Sequence, residues 1–152
     1  MNPQAAQNYL RTRVLTATPE QLQMMLYDGA IRFSEAGRTA ILNKDWEGTY
    51  KNISRAQKII NELNGSLKHD ISPDLCRNLA ALYTYVYRKL IDASLHHNVE
   101  SVDEALKLLR HQRDTWAMVM EKLGKEKAGA AALKLDIPAP SKRMEAMLSV
   151  QG

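Results

Sequence analysis

Cysteine is nearly absent: Cys76 is the only one in 152 residues, so no disulfide can form within the chain, as suits a reducing compartment. No run of about eighteen apolar residues occurs, and no membrane insertion is expected. The opening Met1-Asn2-Pro3-Gln4 has neither the basic residues nor the apolar stretch of a secretory signal, and the expected localisation is cytoplasmic. Sustained alternation of apolar and polar residues is also missing, so no sheet is predicted. Charge of one sign is scarce where it would count. The net charge is +4, but residues 19–124 hold 14 Lys+Arg against 14 Asp+Glu, and the excess lies in the two tails. A neutral body offers no continuous basic face to phosphates, so nucleic acid is not an expected partner.

What the chain does have is helix signals. Thr18-Pro19-Glu20-Gln21 is a capping box with proline at the first helical position. The helix it opens runs to about Asn43, with Leu22, Met25, Leu26, Phe33, Ala36 and Ala40 on one side. Asp45 can cap a second helix, whose Ile53, Ala56, Ile60, Leu63 and Leu67 recur three and four apart before Asn64-Gly65 stops it. Ser72-Pro73-Asp74 opens a third, carrying Leu75, Leu79, Leu82, Val86 and Leu90. Ser101-Val102-Asp103-Glu104 is read as the box that opens a fourth, which Gly124 ends. Four apolar stripes joined by short polar loops can bury one another only side by side. The fold class is therefore all-α, an antiparallel up-down four-helix bundle over residues 18–124. Residues 1–17 show no sustained stripe and are expected to form a mobile segment. Residues 125–152 begin rich in Lys, Ala and Gly and break at Ile137-Pro138-Ala139-Pro140. They are expected to be a flexible extension, or one closing with a short helix bearing Met144, Met147 and Leu148.

Chemistry is harder to find. None of the four histidines has a glutamate three residues before it or a histidine four residues away, so the di-iron bundle pattern is absent and no metal is expected. Cys76 falls in the first turn of a helix, but no base is near it in sequence, and a buried or merely tolerated thiol is expected. No Gly-rich phosphate loop is present, so no cofactor and no enzymatic activity are predicted.

Apolar surface, in contrast, is in surplus. Leu22 to Ile31 is apolar around much of its helix, Tyr83 and Tyr87 stand one turn apart beside the third stripe, and Ile59 lies next to the second. Two readings fit: a wide core whose tyrosine hydroxyls reach water, or a groove lined by Met, Tyr and Leu that accepts an apolar helix or extended peptide. Gly29, inside a helix where glycine costs about 1 kcal/mol relative to alanine, calls for a close approach by another helix or a bound chain. Asp28 beside it can cap or pair with a polar group.

Several of these segments resemble one family. Thr18-Pro19-Glu20-Gln21-Leu22 with Met25-Leu26-Tyr27-Asp28-Gly29-Ala30-Ile31 is similar to the start of the first helix of FliS proteins. Arg55 to Leu63 resembles that family's second helix, Asn78-Leu79 and Leu82 to Tyr85 its third, and Arg110 to Trp116 its last. The likeness spans about residues 5–123. It implies a flagellar export chaperone that binds the disordered C-terminal segment of flagellin, prevents premature polymerisation and delivers it to the flagellar type III export apparatus. It also implies an N-terminal cap over the client groove, with Tyr9 as its aromatic anchor and Leu26, Tyr27, Ile53, Ile60, Leu79 and Tyr83 as groove residues. Ala6 departs from the bulky aliphatic common three residues before the cap tyrosine, and the tail after Gly124 exceeds the family pattern. The alternative function is a helical adaptor or regulator of another protein, an anti-sigma factor for example.

Overall fold

Side-chain caps and N-terminal prolines mark most helix starts in this chain. The computed structural model describes residues 2–68, 72–128 and 142–148. Its helices are α1 (Pro3–Thr16), α2 (Pro19–Leu42), α3 (Trp46–Gly65), α4 (Pro73–His96), α5 (Val99–Ala128) and α6 (Lys142–Leu148). No strand occurs among the described residues. The four helices expected from the stripes are α2 to α5. α2 packs on α3 and α5, and α4 packs on the same two, so the four stand at the corners of an antiparallel square. The Lys/Ala/Gly-rich stretch at 129–135 and the Ile137-Pro138-Ala139-Pro140 break lie outside the described residues.

The caps show where the sequence speaks plainly and where it does not. At α2 the Thr18 hydroxyl accepts the Gln21 N–H at 3.2 Å, and the Gln21 side chain accepts the Thr18 N–H at 2.9 Å, closing the expected box. Asp45 accepts from the Gly48 N–H at 3.0 Å and starts α3. Pro73 takes its expected place at the head of α4, but Ser72 makes no side-chain cap bond. α5 begins earlier than predicted, at Val99. Its cap is Asn98, whose side chain accepts the N–H groups of Glu100 at 3.0 Å and Ser101 at 3.3 Å. Ser101 is already inside the helix and donates its hydroxyl to Asp92. Asp92 also bonds His96 and Asn98, and these bonds, Ser101's foremost, hold its carboxyl below the usual aspartate range. Gly124 does not stop α5, which runs on to Ala128. A Cβ there would meet nothing within 4 Å, so the helix carries the glycine at its exposed end for only its propensity cost.

α1 was not expected as a helix. Asn2 caps it by accepting the Ala5 N–H at 2.7 Å, and Pro3 sits in its first turn. Val14 is its one buried residue, so it carries no stripe for sequence reading to find.

Two helix ends hold a non-glycine residue in the left-handed region, Lys44 after α2 and His97 after α4. Lys44 follows α2 at φ 57°, in the left-handed region. Its N–H donates to the Ile41 carbonyl at 3.0 Å while the Asp45 N–H donates to the Ala40 carbonyl at 2.8 Å, a Schellman closure that favours glycine. Lys44→Gly should therefore raise the free energy of unfolding by about 1 kcal/mol, read as a higher urea midpoint at unchanged slope. A lower midpoint would show that the lysine side chain contributes more than its backbone costs.

Candidate functional site

The two seams of α2 differ in chemistry. Against α5 it is charged: Asp28 meets Arg113 at 2.9 Å, Glu35 meets Arg110 at 3.5 Å, and Arg38 meets Asp103 at 2.5 Å. Such half-exposed pairs contribute little stability, about 0–1 kcal/mol each, but they set the register of the two helices. Trp116 adds to this seam by donating its indole N–H to the Glu20 carbonyl at 2.9 Å. Asp28, singled out for its position beside Gly29, is thus committed to α5.

Against α3 the seam is apolar and carries two glycines, Gly29 and Gly37, both buried. A Cβ on Gly37 would stand 2.6 Å from Cδ1 of Ile53, so the glycine lets α3 approach. Gly29 serves a different neighbour. A Cβ there would stand 2.9 Å from Cδ2 of Leu148 and 3.1 Å from Cδ1 of Ile59. The dimple that Gly29 leaves is filled by α6.

α6 lies against α1, α2 and α3. Met144 and Leu148, four residues apart on one face, are 4% and 2% exposed, and Met147 packs half-buried beside them. At the C-terminal end of α6, Arg32 donates to the Leu148 carbonyl at 3.4 Å. The Arg32 guanidinium also lies 5.1 Å from the centre of the Phe33 ring. The floor of the groove is thus Gly29 and Ile59, with Arg32 at one end, and α6 is its roof.

The groove residues singled out from the sequence turn inward rather than line this floor. Leu26, Tyr27, Ile53, Ile60 and Tyr83 are buried in the core, and Leu79 is half-buried against it. The Tyr27 and Tyr83 hydroxyls meet at 2.7 Å, joining α2 to α4 across the diagonal of the square, and Gln23 donates to Tyr27 at 3.3 Å. Neither hydroxyl reaches water. Burial, with the Tyr27 hydroxyl beside it, pushes the Tyr83 phenol pKa far up. Tyr9 is 62% exposed on α1, whose buried side chain is Val14. Arg32 and Leu148 were missed as a pair, since 116 residues separate them and no local pattern links them.

A second cleft of about 320 Å³ lies where α1, α2 and α5 meet, lined in part by Met24, Met25 and Met120. Among the described residues no group of three or more His, Cys, Asp or Glu could hold a metal ion, and Cys76 is buried.

The comparisons with known proteins place this all-helical square in a family. Residues 1–123 match the family described as Flagellar protein FliS. The chain belongs to the FliS family. It is 33% identical to the flagellar secretion chaperone FliS of Bacillus subtilis over 87% of this chain and 96% of that one. The Escherichia coli FliS is 33% identical over 73% and 82% of the two chains. A solved structure described as a flagellar chaperone from bacteria shares the fold, at a TM-score of 0.64 and 20% identity, over 78% of this chain and 97% of that one. FliS is a family of chaperones and not of enzymes. The family match ends at residue 123, so α6 lies beyond it. No helix among the described residues is long and apolar enough to cross a membrane.

Proposed function

We propose that this protein binds the disordered C-terminal segment of flagellin in the cytoplasm, prevents its premature polymerisation and hands it to the flagellar type III export apparatus. The observation that carries this reading is the α2–α3 groove, which accepts a helix presenting Met and Leu four residues apart. Family membership adds the class of client. A client that is disordered when free loses entropy on binding, offset by burying its apolar stripe against a preformed floor. No nucleotide is required for release, which competition at the export apparatus supplies.

On this reading residues 1–17, including Tyr9, act as a cap, residues 18–124 form the binding body and residues 125–152 are an extension. Gly29, Ile59 and Arg32 touch the client. Leu26, Tyr27, Ile53, Ile60, Leu79 and Tyr83 act by holding the floor in shape, those nearest the surface adding contact once the roof is displaced. The adaptor reading, with an anti-sigma factor as partner, gains no support from the comparisons.

Calorimetric titration with the C-terminal segment of flagellin should give one-to-one binding, a Kd of about 1 μM or tighter and a negative heat-capacity change. Absence of binding by a chain whose helical circular dichroism is intact would overturn the proposal.

A further inference from the structure

α6 has seven residues, too few to hold a helix alone in water. It owes its helical form to what it touches. Its touching face is specific: Leu148 enters the dimple above Gly29 and meets Ile59, Met144 is buried one turn earlier, and Arg32 holds the final carbonyl. Glycine at position 29 would be a plain loss in an isolated α2, and it becomes useful once a leucine must sit there. Because α6 belongs to the same chain, its seating in the groove is an intramolecular event that a separate ligand must compete with.

We propose that α6 is an internal occupant of the α2–α3 groove, and that the helix which displaces it presents the same face: two unbranched or γ-branched aliphatic side chains four residues apart, the second over Gly29, with its C-terminal carbonyl against Arg32. This rests on the reading that the groove receives the flagellin segment, and it adds the pattern of the client helix and the competitor it must expel. A seven-residue plug gives way readily to a longer client, because it buries one short face and the client buries more. While the plug is seated it keeps an apolar floor away from water and from unintended partners.

The test compares the full chain with a full-chain Met144→Asp/Leu148→Asp variant, after circular dichroism shows that both are folded. Two probes are titrated: a synthetic peptide of residues 138–152, and the C-terminal segment of flagellin. The variant should bind each at least about tenfold tighter than the parent, since a site open in one molecule in ten has its apparent affinity lowered by that factor. Equal affinity of the two chains for the peptide would overturn the plug itself. Equal affinity for flagellin, with the peptide result as expected, would overturn the competition. If neither chain binds flagellin but the variant captures the peptide, the flagellin reading fails and the internal occupant stands. Gly29→Leu introduced into the double variant should abolish peptide binding by filling the dimple. Retained binding would place the occupant elsewhere and overturn the assignment.

Discussion

Tyr83→Ala should lower the free energy of unfolding by about 3–5 kcal/mol, the largest single effect expected in this chain, whereas Tyr83→Phe should lose only about 1 kcal/mol. Tyr83 is 1% exposed and is the bulkiest of the fully buried side chains. Truncation to alanine leaves a ring-sized void between helices that other core residues hold apart, and it strips Tyr27 of its 2.7 Å partner. Phenylalanine keeps the packing. It removes one hydrogen bond, and the Tyr27 hydroxyl retains Gln23 at 3.3 Å. Urea unfolding followed by circular dichroism separates the two cases. Near-equal losses would mean that the hydroxyl pair, and not the ring, holds α2 to α4. Tyr83→Phe also bears on binding: flagellin affinity within about twofold of the parent is expected of a residue that faces the interior, and a larger loss would put its hydroxyl in the groove.

The helices were legible because their signals are local. Thr18 with Gln21, Asp45 with Gly48, and the stripes of α2 to α5 each lie within a turn or two of sequence, and the structure forms the two caps and the four helices, although Leu75, assigned to the third stripe, is 56% exposed in the first turn of α4. α1 escaped because a helix that buries only Val14 leaves no period to detect. The start of α5 was misplaced because Asn98 and Ser101 are both good caps. What decides between them is Asp92 on the preceding helix, which accepts the Ser101 hydroxyl. Tertiary partners are what a single sequence conceals.

The same holds for the groove. The surplus of apolar residues on α2 and α3 was visible, as was the anomaly of Gly29. Which side chains turn inward was not, because the stripes are wide and the deciding contacts are distant in sequence. Tyr27 and Tyr83 lie 56 residues apart, and Arg32 meets α6 across 116. The charged α2–α5 seam and the apolar α2–α3 seam likewise appear only once the helices are placed. Their contrast explains why the apolar face lies beside α3: Asp28, Glu35 and Arg38 of α2 are paired with α5, and the opposite side keeps small and aliphatic residues with Arg32 at one end.

Gly37 provides the sharpest test of that second seam. Gly37→Ala should destabilise the bundle by about 1–3 kcal/mol, although alanine gains about 1 kcal/mol of helix propensity over glycine. The new methyl would stand 2.6 Å from Cδ1 and 2.9 Å from Cγ1 of Ile53, a side chain only 1% exposed with little room to turn. Ile53→Ala alone should lose about 2–5 kcal/mol through the void it opens. Together the two should cost less than their sum by about 1 kcal/mol or more, because the alanine at 37 occupies space that the isoleucine has vacated. Strict additivity in urea unfolding would show that α2 and α3 do not approach closely there. Gly29, eight positions earlier on the same helix, should behave differently. Its Cβ would press on Leu148 as well as Ile59, so Gly29→Ala should strain the seating of α6 more than the bundle, with a smaller loss of global stability than Gly37→Ala. One glycine is needed for the seam to close and the other for the groove to be filled, and the difference between the two alanine variants measures how far those needs are separate.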